Sequence, residues 1–345
     1  MPRQSSLIKQ RRRGSRAAAI AAILGVTAAW VAPSLAQPGG NTGLIGDDGL
    51  IDAILATPNQ KTPVPQDNLF ATTPGLEQEA RQPQFTFNAL APLFYNSNPE
   101  FRSSGGPQSL EGSPVARLGW ASQLFGTPLR VSGFASLEWE RFPSANDAGV
   151  DYFRSSARLQ YVNPGDDQGF SPFFAYVPRM DFEPTFGDNF ATRQDLNLGF
   201  DKTFNFDGAF NRVPASANSS SDTVWSFGYS ITGQRRIRNV APQSTALIFA
   251  PSASWVISPD WNASLSMPLT RRWFNGASRD FTVEPIGILE YIIPANWIGG
   301  PRGAAIFGNP SVDFLVFHER NWSTASSFEY GQWLAGIVLK AGWRF

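Results

Sequence analysis

The chain contains no cysteine, a single histidine and only three methionines in 345 residues. Without cysteine there is no disulfide scaffold, no thiolate metal centre and no lipid-modified N-terminal Cys. His318 is the one imidazole and the carboxylates are scattered, so none of the spacings of a zinc or calcium site occurs. Asp47-Asp48 and Asp166-Asp167 read more simply as turns, and no cofactor is expected. Long helical patterns are missing as well: beyond the N-terminus no segment sets Ala, Leu, Glu and Lys at helical spacing. What the chain does have is 13% aromatic residues, 31 glycines and 27 prolines, which is the profile of an all-β protein.

Basic residues crowd the N-terminus: Arg3, Lys9, Arg11, Arg12, Arg13 and Arg16 precede the uncharged stretch Ala17 to Trp30 and the small residues before Gln37. A basic n-region, an apolar h-region and a small-residue cut site predict a secretory signal peptide over residues 1–36. The apolar stretch is shorter than the roughly 20 residues that a permanent membrane anchor needs. Setting those six cations aside leaves 22 basic against 28 acidic side chains, a mildly acidic mature chain. No basic stripe remains, so no nucleic-acid partner is expected.

Residues 37–83 are rich in Pro, Gln, Asn and Thr, as in a periplasmic linker. One apolar island, Leu44, Ile45, Leu50, Ile51, Ile54 and Leu55, follows or flanks Asp47 and Asp48, which can cap a helix. The island reads either as a short plug helix or as part of a disordered tail. The tail is the simpler reading, because so short a helix is marginal alone.

From Gln84 the hydrophobic period becomes two. Between Leu129 and Glu140, Leu129, Val131, Ala135, Leu137 and Trp139 share one face, while Arg130, Ser132, Ser136, Glu138 and Glu140 share the other. Between Trp261 and Trp273, tryptophans bracket the greasy face. They lie about 40 Å apart along the strand at the usual rise per residue, enough to span a tilted apolar band. Twelve such segments are expected, starting near Phe85, Val115, Leu129, Val150, Pro172, Asn189, Thr223, Thr245, Trp261, Phe281, Val312 and Gln332. The predicted fold is an all-β, closed antiparallel transmembrane β-barrel over residues 84–345. Two features sit awkwardly with it. The connections Asp207 to Asp222 and Pro294 to Pro310 are long for the periplasmic side. Pro178, Pro251, Pro268 and Pro285 fall inside expected strands, where a closed barrel has no edge to host them, so they are expected at bulges or strand ends.

In the last segment Ile337, Leu339, Ala341, Trp343 and Phe345 alternate on one face. This resembles the C-terminal β-signal of bacterial outer-membrane β-barrel proteins. The resemblance implies an outer-membrane location, with the lipid bilayer, the barrel assembly machinery and periplasmic chaperones as partners. It also implies a role in insertion for Leu339, Ala341, Trp343 and Phe345.

Strand parity turns Arg117, Arg130, Arg154, Arg158, Arg193, Arg272, Lys340 and Arg344 inward, together with Glu138, Glu140, Asp195, Glu284, Glu290, Asp313 and Glu319. Such charges must pair or line water, because burying them unpaired costs several kcal/mol each. Arg117, Arg130, Arg154 and Arg158 lie on early strands and Glu284, Glu290, Asp313 and Glu319 on late ones. That division predicts a transverse field across a narrow pore for small polar solutes, or else a net of ion pairs that fills the lumen. Twelve strands lie between the filled and the open barrel sizes. Enzymatic activity is not expected: His318 shares its parity with Val312, Phe314 and Val316, and no catalytic motif surrounds it. A lipid-facing hydrolase using His318 is the weaker alternative.

Overall fold

The computed structural model describes Leu50, Ile54 and residues 84–345 except 104–107, 125–126, 145–148, 162–170, 214–223, 276–277 and 309. The signal-peptide expectation and most of the linker fall outside these residues.

Sixteen strand segments form one antiparallel sheet. In chain order they are β1 (Gln84–Asn96), β2 (Ser109–Gly112), β3 (Val115–Gln123), β4 (Leu129–Glu140), β5 (Val150–Tyr161), β6 (Ser171–Phe182), β7 (Asn189–Phe206) and β8 (Arg212–Val213). They continue with β9 (Trp225–Arg238), β10 (Ser244–Ser258), β11 (Trp261–Ser266), β12 (Leu269–Phe274), β13 (Arg279–Val283), β14 (Ile286–Ile292), β15 (Ser311–Ser323) and β16 (Tyr330–Arg344). β11 with β12, and β13 with β14, are two halves of one stave each. β2 and β8 only extend the hairpins of β1 and β7. Twelve staves remain, and each starts within two residues of its sequence-based expectation. The first and last pair from Thr86↔Arg344 to Asn96↔Leu334, which closes the sheet into a barrel. Among the described residues each of the twelve staves pairs with a neighbour on both sides, the condition for crossing lipid with strands.

The prolines explain why two staves are split. Pro251 on β10 faces the gap between β11 and β12, where Met267 N–H donates to the Pro251 carbonyl at 3.0 Å. Glu284 N–H likewise donates to Pro268, and His318 N–H to Pro285, each at 3.0 Å. Three evenly spaced prolines thus step across neighbouring staves as one row of ladder interruptions. Each lacks a donor but still accepts, so the row weakens the ladder without changing the stave count. Pro178 and Pro251 correct the sequence-based expectation, since both lie inside strands. Pro178 pairs with Gln194 on one side, while on the other the β5–β6 ladder lapses between Arg154↔Arg179 and Ala157↔Tyr176. The missing N–H falls where no partner is required.

Both long connections lie at the barrel end that holds Gln84 and Phe345. One carries the β7–β8 hairpin. The other carries a 3-10 turn (Ala295–Ile298) and the helix α1 (Gly300–Phe307).

Candidate luminal site

Alternation along each stave separates two unlike surfaces. Leu93, Leu118, Leu198, Leu265, Val316 and Leu339 point outward and are exposed, Leu198 by 68%. Residues of the opposite parity, such as Phe94, Arg117, Asn262, Phe317 and Val338, are buried. A soluble protein buries leucine and hydrates arginine, and this sheet does the reverse. Outward aromatics gather at the two ends of the staves. Trp225 and Trp255 stack at 4.8 Å, and Trp261 meets Tyr291 at 4.8 Å, at the end holding the termini. Trp139, Trp273 and Trp322 lie at the other end. Apolar staves between two aromatic girdles are the surface of a transmembrane β-barrel.

The lumen has three regions. Along β3 to β9 the inward side chains form a ladder of arginines interleaved with carboxylates and rings. Arg154 Nε donates to Glu138 at 3.1 Å, and Arg117 Nη2 lies 3.7 Å from the same carboxylate. Arg158 pairs with Asp201 at 2.7 Å, and Arg179 with Asp181 at 2.6 Å. Arg236 grips Asp195 with two bonds of 2.8 Å, and Arg193 reaches it at 3.2 Å. Four guanidinium groups also lie on aromatic faces: Arg117 at 4.1 Å and Arg154 at 5.2 Å from Phe134, Arg158 at 3.8 Å from Phe173 and Arg179 at 3.7 Å from Tyr152. Desolvated guanidinium on a ring is worth about 2 kcal/mol, which offsets part of the cost of burying the charge. Glu140 accepts from Tyr152 Oη. Arg272 donates to Ser244 and Gln234, each at 3.0 Å. Arg130, near the termini end, is half-buried.

The second region, on β13 to β15, is acidic. Asp280, Glu284, Glu290, Asp313 and Glu319 are all buried there. Lys340 of β16 answers two of them, Glu290 at 2.6 Å and Asp313 at 3.3 Å. Glu319 accepts from Tyr330 at 2.5 Å and from Gln332 at 2.8 Å. Among the described residues no three of these groups converge as metal ligands. The side chain of Arg344 lies outside the described set.

The third region is apolar, and sequence parity had not singled it out. Leu90, Phe94, Val115, Ile286, Ile288, Leu315, Phe317, Leu334 and Val338 form one buried inward cluster where the last stave meets the first. Leu50 and Ile54, from the island in the N-terminal linker, are helical and belong to that cluster at 2% and 0% exposure. Lys340 Nζ donates to the Ile54 carbonyl at 3.4 Å. Burial at roughly 2 kcal/mol per side chain supplies what a short helix lacks alone, which favours the plug over the tail for Leu50 and Ile54.

No protein-family model matches the sequence, and no curated protein is similar to it at a significant level. Among solved structures, the chain is similar to the translocator domain of autotransporter NalP from Neisseria meningitidis, with 11% identity and a TM-score of 0.38 over 78% of this chain and 91% of that one. The beta domain of the Bordetella autotransporter BrkA gives 10% and 0.38 over 76% and 98%. An anion-selective porin from Comamonas acidovorans gives 9% and 0.34 over 76% and 100%. At this level of likeness the barrel assignment rests on the chain's own closed ladder and inverted polarity.

Several luminal groups escaped the sequence reading: Glu111, Arg179, Asp181, Asp201, Arg236 and Asp280. Asp201 and Arg236 share parity with Asp195 and Arg238 on strands longer than usual, so extending β7 and β9 would have found them. The residues of the suggested assembly signal, Leu339, Ala341 and Trp343, lie on the outer face of β16. Phe345 follows, exchanging backbone hydrogen bonds with Phe85 at 2.8 and 3.3 Å. His318 sits outside the lumen with its ring 4.2 Å from that of Trp333.

Proposed function

We propose that the protein is an outer-membrane β-barrel, exported through a cleaved signal peptide, whose lumen is closed at rest and admits small polar solutes when its N-terminal segment moves aside. The observation that carries this reading is the seating of Leu50 and Ile54 against inward apolar side chains in a lumen whose charged groups are almost wholly inaccessible. An always-open general pore would keep those charges hydrated. The separation of the arginine ladder from the acidic wall supports a polar solute as cargo, because a field between them orients dipoles.

Planar-bilayer recording of the mature chain tests the proposal. Wild type is expected to conduct rarely. Leu50→Asp with Ile54→Asp, which puts carboxylates against the apolar cluster, is expected to shift the closed–open equilibrium about a thousandfold toward open, in keeping with a loss of roughly 4 kcal/mol. Steady wild-type conductance would overturn the closed resting state.

A second reading is favoured by the extent of the ion-pair net: a structural or surface-interaction barrel, its lumen permanently filled. Silence in wild type and variant alike would favour it. Neither reading gives His318 a catalytic role.

A further inference from the structure

We infer that residues 295–308 form a strap lying on the outer wall of the barrel, in the membrane interface at the termini end, where its partner is the lipid surface itself. The inference rests on the chain spanning a bilayer and goes beyond it by assigning a lipid-binding element outside the staves.

The strap is fixed at both ends to outward aromatics. At its start the Trp297 ring lies 6.1 Å from Tyr291, and Tyr291 continues into Trp261 at 4.8 Å and Phe314 at 6.4 Å. All of these belong to the girdle at that end. At its finish Trp343 Nε1 donates to the Ile306 carbonyl at 3.1 Å, and Gly342 N–H donates to the Gly308 carbonyl at 2.7 Å. Gly308 has φ 69°, and a Cβ there would stand 2.6 Å from the Trp343 ring, so glycine lets the indole lie flat against the backbone. The bend between turn and helix is equally tight. A Cβ on Gly303 would meet the Ile298 carbonyl at 1.6 Å.

Held this way, the strap turns Trp297, Ile306 and Phe307 outward, exposed by 68%, 68% and 55%. Three large apolar side chains in water would be unfavourable, and the girdle with which they are continuous already marks the lipid boundary. Between Pro294 and Pro310 the sequence has one cation, the exposed Arg302, and no carboxylate. An apolar face with an isolated arginine suits the boundary between acyl chains and phosphate headgroups. A helix of eight residues would not persist alone, so the girdle contacts hold it and the bilayer completes it. Its place on the wall also accounts for a connection too long for an ordinary turn.

The absence of cysteine permits single-site labelling. The full chain carrying Ile306→Cys, Phe307→Cys, Leu265→Cys or Val240→Cys, each bearing an environment-sensitive fluorophore, is refolded into phosphatidylethanolamine–phosphatidylglycerol vesicles. Quenching is read with nitroxide-labelled lipids and with iodide on both sides. Labels at 306 and 307 are expected to be quenched by lipids nitroxide-labelled near the headgroup, and about threefold less by iodide than the label at Val240, in the opposite-end loop. The inference is overturned if the Leu265 label reports lipid while those at 306 and 307 are as open to iodide as Val240; the barrel reading then survives. It is overturned in favour of a protein partner if 306 and 307 are open to iodide in vesicles but shielded in native membranes. An aqueous Leu265 label would instead overturn both the barrel and the strap.

Discussion

Glu138 is the carboxylate between two buried arginines, Arg154 and Arg117, and it also accepts from Ser136 Oγ at 2.6 Å. Glu138→Gln keeps the shape and removes the charge. The guanidinium groups then lose their shared counter-charge in a place that water does not reach. Breaking a buried pair from one side costs about 3 kcal/mol, so the urea midpoint of the refolded variant should fall accordingly. An unchanged midpoint would mean that the lumen is wetter than its burial implies. At this scale much of the site was legible, because a period of two assigns a face to every residue once a strand is recognised; Arg117, Glu138, Arg154 and Glu290 needed nothing more. Arg179 and Asp181 lie beyond Pro178 in an expected strand, but the alternation was not carried across the proline. Leu50 and Ile54 were hidden for a different reason, since the cluster that buries them is gathered from the first and the last strands of the chain.

Among the elements, the seam between β1 and β16 is the one that cannot be replaced, since it turns a sheet into a barrel. Gly336 lies in it, and a Cβ there would meet the Leu93 carbonyl at 2.1 Å and Phe94 Cα at 2.8 Å, both backbone of the facing strand. Gly336→Ala should therefore push the closing strands apart and lower the fraction that migrates as folded barrel on an unheated gel. Gly287→Ala is the matched control on β14. Its nearest neighbour is the Val316 carbonyl at 3.9 Å, and folding should be unaffected. Equal behaviour of the two variants would contradict the close approach at the seam. Stave positions were readable from alternation and bracketing tryptophans, whereas the division of two staves by the proline row was not. That division depends on Pro251, Pro268 and Pro285 standing side by side, which is a fact of register. The strap shows the same limit: Pro294 to Pro310 reads as a long loop until Tyr291 and Trp343 are seen to face the same lipid.

For the whole molecule, the inverted polarity of its two faces fixes the environment. Arginines and carboxylates line the inside, leucines and valines cover the outside, and the two are compatible only if the outside is oil. Leu50 and Ile54 then belong to the barrel's interior, and the resting state of the lumen becomes the property from which its function follows. The most direct measurement joins the two ends of the sheet in the membrane. Ala89 and Ala341 are register partners across the seam, at the separation of antiparallel neighbours, which falls within disulfide range. In a chain with no other cysteine, Ala89→Cys with Ala341→Cys should form an intramolecular disulfide in protein recovered from the outer-membrane fraction. Either single variant should form none. Recovery of the double variant as a soluble periplasmic protein, or in the membrane with both thiols free under mild oxidant, would contradict a closed barrel held in lipid.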